Sequence, residues 1–419
     1  MITLAILLLA GSLGCSHSSQ PVRKVELDRV DSLRLPESSE YPIVAARNID
    51  ISPNGKLLLL ADNVSGVVSV YNLPACTLLR VITPTLDMSD SLAIHGYPWM
   101  PGYKFVTIEE RPSFYSNRSA MAYFSNARFM DDSTILLSGP LYAFVLSQAS
   151  SSEVPTEVRV SESSIMIYDL RHSHFTHVIP LETKGDIWPQ TEVLAYDSKT
   201  HQAIVDMCAN FEMRRNHYDS AWALAAYDLN GKFTRWLAKE PLEMREYSLG
   251  ASNFLAMCPR VAVKPDGNYI YGFKMVPRIE DRESGGALSL VVPSDNLQYF
   301  RNFRQTLLTQ GFVRSSQFDS LFHWKPYWLS NLAVREDGTI VAMSTIRTSE
   351  RPFESEKLIQ WYQPSGALEA ETIIPYDSSR GNIQLAQYLP SQNQIAILTS
   401  DRNGWTMTRY APKAISTGN

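Results

Sequence analysis

The chain is poor in cysteine, in net charge and in long apolar runs, and each shortage removes a class of protein. Four Cys in 419 residues are too few for a disulfide scaffold, and none of them stands in a CxxC or Cys/His spacing that would suit zinc. With 38 basic against 43 acidic residues the formal net charge is −5, which leaves no overall basic footprint for nucleic acid. The longest uncharged apolar run near the start, Leu4 to Ala10, is too short to cross a bilayer. P-loop, GxGxxG, GxSxG, HExxH and EF-hand patterns are all missing. What remains is 44% hydrophobic residues, 11% aromatics, 24 Pro and 20 Gly, the composition of a globular, turn-rich chain. No linker or charge block divides it, so residues 22–419 read as one large domain.

Internal repetition carries the strongest signal. Six short alternating strands closed by turn residues recur as IDISPNG from Ile49, ARFMDDS from Ala127, VLAYDS from Val193, VAVKPDG from Val261, LAVREDG from Leu332 and LAQYLPS from Leu385. An apolar strand follows each turn, starting near Leu57, Thr134, Gln202, Tyr269, Thr339 and Gln394. Second hairpins then open at VVSVYNL, SIMIYDL, ALAAYDL, ALSLVVP, LIQWYQP and TMTRYAP, and five of these six segments carry Tyr at one matched position. Two hairpins make a four-stranded antiparallel sheet, and six such sheets in a ring predict an all-β, six-bladed β-propeller. The sixth unit lacks a fourth strand. Residues 22–35 alternate like a strand and are expected to supply it beside Tyr410, joining the chain ends through backbone hydrogen bonds. A helical insertion is predicted over 294–310, capped by Ser294 or Asp295 and by Gly311.

With the strands of a blade named A to D, the A–B and C–D turns share one face and the B–C and D–A loops the other. The first set is tight, whereas the second holds long segments over 85–122, 139–163, 208–221, 276–286, 312–330 and 346–357. Long loops on a rigid scaffold are where binding residues gather, so this face is the expected functional one. On it lie Tyr97, Trp99, Tyr103, Trp324, Tyr327 and Trp328, suited either to glycan or protein contacts or to packing on each other. Arg214, Arg215, Arg278, Arg347, Arg351 and Arg402 could grip an anion or be neutralised by interleaved acids. Asn48, Asn126, Thr191, Glu192, Arg260, Asn331 and Gln384 stand near the starts of the innermost strands, where a propeller's axial channel opens, and form the candidate ligand-binding ring. Polar residues there also serve turn chemistry. Cys208 and Cys258 fall on one face of adjacent blades and are candidates for a disulfide, while Cys76 belongs to an opposite-face turn as a free thiol. His172, His174 and His177 sit at a hairpin tip, which argues for solvation over metal ligation. No metal or cofactor is expected.

Ser12-Leu13-Gly14-Cys15 resembles a bacterial lipobox, which implies a signal peptide over 1–14, acylation of Cys15 and a tether over 15–21; ordinary secretion is the alternative. That start, followed by six turn-marked units of the Pro-Asp-Gly and Glu-Asp-Gly kind, resembles the TolB-like six-bladed propeller lipoproteins of the Bacteroidetes, many of them without an assigned function. The resemblance covers the scaffold and brings no functional motif; with the loop asymmetry, the leading reading is a monomeric cell-envelope protein, lipid-anchored to a membrane, that binds an envelope protein or glycan through its long-loop face. A propeller hydrolase or lyase using Glu192, Arg260 and His217, and a purely structural envelope component, are the competing readings.

Overall fold

The computed structural model describes residues 22–62, 64–83, 103–105, 121–122, 124, 126–147, 156–209, 221–240, 259–274, 276–281, 287–291, 327–346, 356–375 and 382–413. The chain begins with β1 (Arg23–Lys24) and β2 (Leu27–Arg34), then builds six sheets in sequence order. Blade 1 is β3 (Ala46–Ile51), β4 (Leu57–Asp62), β5 (Val67–Asn72) and β6 (Thr77–Ile82). Blade 2 holds β7 (Tyr103–Phe105), β8 (Met121–Ala122), β9 (Asn126–Phe129), β10 (Thr134–Ser147), β11 (Thr156–Asp169) and β12 (His174–Pro180). Blade 3 is β13 (Ile187–Asp197), β14 (Gln202–Ala209), β15 (Trp222–Asp228) and β16 (Phe233–Lys239), and blade 4 is β17 (Pro259–Val263), β18 (Tyr269–Phe273), β19 (Arg278–Asp281) and β20 (Ala287–Ser289). Blade 5 is β21 (Tyr327–Val334), β22 (Ile340–Ile346), β23 (Glu356–Tyr362) and β24 (Leu368–Ile374), and blade 6 is β25 (Asn382–Leu389), β26 (Gln394–Asp401) and β27 (Gly404–Pro412). The fold is the all-β six-bladed propeller that the repeats imply. Among the described residues the one helical element is a 3₁₀ turn over Pro390–Gln392; the helix expected over 294–310 lies outside them.

The apolar runs of the second strands follow from burial on both faces. Leu58 and Leu60 of β4 pack toward blade 6 with Leu398, Trp405 and Met407, while Leu59 between them packs toward blade 2 with Phe124, Ile135 and Met166. Strand side chains alternate, so a strand sandwiched between two neighbours has no polar face to show. Among the described residues the apolar core is accordingly divided into six clusters, one at each junction of neighbouring blades. The A–B turns close by a shared device: Gly55, Gly267 and Gly338 take positive φ and donate their N–H to the carbonyl three residues back, at 2.8, 2.9 and 3.0 Å. Gly231 is required for another reason, since a Cβ there would sit 2.3 Å from Pro180 O of the preceding blade.

Ring closure comes from the N-terminus, with one correction. Residues 22–35 are not a single strand. β2 pairs antiparallel with β27 as the outermost strand of blade 6, Arg29 opposite Tyr410, but β1 pairs parallel with β24 and lengthens blade 5 instead. Val25 and Leu27 join the apolar cluster between blades 5 and 6, and Leu33 and Leu35 the one between blades 6 and 1. Arg409 grips Asp31 across the β2–β27 pair through both guanidinium Nε, at 2.9 Å, and a terminal nitrogen.

Two loop assignments also change. The segment over 139–163 is strand for most of its length: β10 and β11 stay paired from Thr134 and Asp169 out to Ser147 and Thr156, and β8 and β7 continue the inner edge of β10 beyond β9. In blade 4 the third strand is Arg278–Asp281, and Ala287–Ser289, expected as the third, is the fourth. Residues 278–281, expected within a long loop, are therefore strand. Val276 N donates to Phe273 O at 3.1 Å between β18 and β19, and the absence of the repeated Tyr from 287–291 follows because that segment occupies a different strand position.

Candidate functional site

Three of the five repeated Tyr residues, Tyr168, Tyr227 and Tyr362, prove to be joints between blades. The Tyr168 hydroxyl accepts from Arg80 of blade 1 at 2.8 Å, Tyr227 donates to Glu182 O beyond blade 2 at 2.8 Å, and Tyr362 accepts from Val291 N beyond blade 4 at 3.2 Å while donating to Gln360 Oε1 at 2.9 Å. Burial raises the Tyr227 and Tyr362 hydroxyls above the ordinary tyrosine value, the latter to about 12, so they remain protonated donors.

Several of the polar residues that begin the inner strands do similar work. Asn48 donates from Nδ2 to Ala127 O at 2.8 Å and accepts from Ala127 N at 3.2 Å, so that its side-chain amide replaces a strand between β3 and β9. Arg260 donates from Nε to Ser330 O at 2.9 Å, linking blade 4 to blade 5, and from a terminal nitrogen to its neighbour Pro259 O. Asn331 Oδ1 accepts from Tyr388 N of blade 6 at 3.4 Å. At the same end of blade 1, Asp62 accepts backbone N–H bonds from Ala45, Val64 and Ser65 at 2.8 to 2.9 Å and from Val44. Burial pushes its carboxyl up, but the four N–H donors outweigh that and hold it below the usual aspartate value.

The inner strands of all six blades enclose an axial cavity of about 630 Å³, inside the range of roughly 300–1,000 Å³ typical of small-molecule sites. Asn48, Asn126, Arg260 and Asn331 line it, together with Gln190, Asp206, Glu240 and Lys274, which the sequence reading passed over. Gln190 and Asp206 lie on β13 and β14, Glu240 and Lys274 one residue past the ends of β16 and β18, and no repeat position marks them. Asn126 is buried, and its Oδ1 has no partner among the described residues.

The wall changes character along its length. Two residues beyond the Asn48 level, corresponding positions of the inner strands hold Asp50, Arg128, Ala195, Ala262, Ala333 and Gln387, all lining the cavity. Blades 6, 1 and 2 thus present Gln387, Asp50 and Arg128, and blades 3, 4 and 5, across the axis, present three alanines. Asp50 Oδ2 accepts from Phe129 N at 2.7 Å, and Oδ1 lies 3.9 Å from the Arg128 guanidinium. Burial raises the Asp50 carboxyl above its ordinary value; the Arg128 charge and the Phe129 and Ile51 N–H groups counteract this without cancelling it.

Other expected residues fall apart from this cavity. Arg278 is held by Glu280, Nε and a terminal nitrogen on Oε1 at 2.9 and 2.7 Å, while Glu280 Oε2 accepts from Tyr271 at 2.6 Å. Trp328 carries the Lys274 ammonium 3.1 Å over its ring centroid, and Arg402 is exposed in the turn before β27. His172 bonds Asp169 at 2.8 Å in an exposed turn, and the described residues hold no group of three or more metal-ligating side chains. Cys76, a free thiol with φ of 49°, donates to Arg34 O at 3.0 Å. Tyr103, Thr191, Glu192, Tyr327 and Gln384 are placed by backbone alone, on β7, β13, β21 and β25. Cys15, Tyr97, Trp99, Arg214, Arg215, His217, Cys258, Trp324, Arg347 and Arg351 lie outside the described residues, so neither the anchor nor the Cys208–Cys258 pairing is addressed.

No protein-family model and no curated protein matches the sequence. Solved structures do. An exported protein of Bacteroides fragilis superposes with a TM-score of 0.50 at 9% identity, covering 93% of this chain and 96% of its own. A DUF4221 family member of Bacteroides vulgatus gives 0.48 at 12% identity, over 93% and 99% of the two chains, and the calcium-binding protein regucalcin of Agrobacterium tumefaciens gives 0.42 at 11%, over 94% and 97%. Identities this low speak to the fold, and the chain's neighbours include Bacteroides propellers of unknown function.

Proposed function

We propose that the chain is an exported envelope protein, anchored through Cys15, that binds a small polar molecule in its axial cavity. One observation carries this reading: the inner strands of all six blades surround a volume of about 630 Å³ whose wall mixes charged groups with small alanines. A channel selected only for stability would fill with apolar side chains, because burying a charge without close partners costs free energy. The fold likeness to an exported Bacteroides protein supports the envelope location, as does the Leu4–Ala10 run before Cys15. The enzyme reading is weakened at Arg260, whose Nε and one terminal nitrogen are committed to backbone carbonyls.

Thermal-shift screening of the mature chain against polar metabolites should find a compound that raises Tm, and Ala262→Leu, which narrows the cavity, should reduce the shift. A shift undiminished in Ala262→Leu would place binding elsewhere. Radiolabelled palmitate should enter the full-length chain and not Cys15→Ala; equal labelling of both would remove the anchor.

A further inference from the structure

The six corresponding inner-strand positions at mid-channel divide by charge and by size. Asp50 and Arg128 stand side by side on blades 1 and 2, flanked by Gln387 of blade 6, and face Ala195, Ala262 and Ala333. At 3.9 Å the Asp50–Arg128 pair is wider than a charge-assisted hydrogen bond, which closes to about 2.7–2.9 Å. No hydrogen bond to the Arg128 guanidinium or the Gln387 amide is made among the described residues, and both side chains border the cavity. Asp50 has committed Oδ2 to the Phe129 N–H and keeps Oδ1 on the Arg128 side, with 24% of its side-chain surface still accessible. Each charge is therefore only partly compensated by the other. A lone anion drawn to Arg128 would meet the Asp50 charge, and a lone cation drawn to Asp50 would meet Arg128. A molecule carrying both signs a few bonds apart satisfies both at once, and guanidinium geometry favours a carboxylate as its anionic end.

We propose that Asp50 and Arg128 form a zwitterion clamp, Arg128 taking the carboxylate and Asp50 the ammonium group of an amino acid or short peptide. The side chain of that ligand lies in the space left by Ala195, Ala262 and Ala333, and Gln387 offers an amide to its polar backbone. Burial raises the Asp50 carboxyl even with Arg128 beside it, and a ligand ammonium against Oδ1 would favour its ionised form. This assignment rests on the channel-binding reading and makes its chemistry specific.

The test is calorimetric titration of the mature protein with free L-amino acids and Gly-containing dipeptides, against N-acetylated forms, C-terminal amides, and glucose. An unblocked compound is expected to bind, and blocking either end to weaken it at least about tenfold. Arg128→Gln and Asp50→Asn should each cost about tenfold or more in affinity with circular dichroism and Tm retained. Ala333→Leu, on the opposite wall, should exclude large side chains before glycine. Wild-type affinity in both clamp variants, equal binding of blocked forms, or binding of glucose in place of amino acids would overturn the clamp while leaving the channel reading intact. If no amino acid or dipeptide binds, the clamp also falls; the metabolite screen with Ala262→Leu then decides separately whether the channel reading falls with it.

Discussion

Polar groups that join blades and polar groups that face the cavity sit within one turn of each other on the same strands, yet their surroundings are opposite. Asn48 has both ends of its amide bonded to the backbone of the next blade, whereas Arg128, on that next blade and two residues beyond the position equivalent to Asn48, has only a 3.9 Å ion pair among the described residues. The first kind holds the ring shut. The second kind leaves interaction free energy for a ligand. Lining a channel is thus no evidence of availability; what matters is whether the hydrogen-bonding capacity is already used.

Predictions that break joints should show large losses of stability, and those that touch the cavity wall should not. The largest effect is expected from deleting residues 22–35, which removes the outer strand of blade 6, the extra strand of blade 5 and apolar contributions to two inter-blade clusters; scanning calorimetry should show Tm lower by about 10 °C or more. An unchanged Tm would sink the closure. Next comes Asp62→Ala, which orphans four backbone donors, two just before β3 and two in the loop after β4, and should cost about 3 kcal/mol in denaturant titrations. Because the Asp62 carboxyl is held below its ordinary value in the fold, its contribution is complete above that ordinary value and disappears as pH falls through the lowered one. The stability gap between wild type and Asp62→Asn should therefore narrow on acidification; a gap that widens would contradict the assignment.

Smaller effects sharpen the contrast. Asn48→Leu should lose about 2 kcal/mol, leaving a buried Ala127 N–H and carbonyl unmatched, and Tyr227→Phe about 1 kcal/mol for its bond to Glu182 O. Asp50→Asn should come last, with stability unchanged or raised. Burial lifts the Asp50 carboxyl, with Arg128 of β9 the charged group facing it, so its ionised form is a net cost at neutral pH that fades as pH falls through the raised value. A large loss of stability in Asp50→Asn would move Asp50 into the joint class.

Much of the frame was legible in the chain. The Pro-Asp-Gly and Glu-Asp-Gly turns announce hairpins because the positive φ of Gly267 and Gly338 is needed to close them, and TLLRVITP and LEAETIIP resolve as β6 and β24. Blade 4 was misread by one strand, since Arg278–Asp281 is short and charged and ALSLVVP looks more like a strand than it does. The repeated Tyr was visible as a pattern and mute as to purpose: Tyr168 reaches Arg80, 88 residues away, and no local rule connects them.

Sequence alone determined the number of blades, the strands within most of them and the need for an N-terminal closing strand, because turn chemistry and period-two alternation are local. Only the tertiary structure decided which polar residues are consumed between blades and which remain open to the axis. In a propeller both faces of a blade are buried, so alternation separates one neighbour from the other and does not separate core from solvent. The role of Asp50, Arg128 and three alanines depends on where the ring brings six distant strands together.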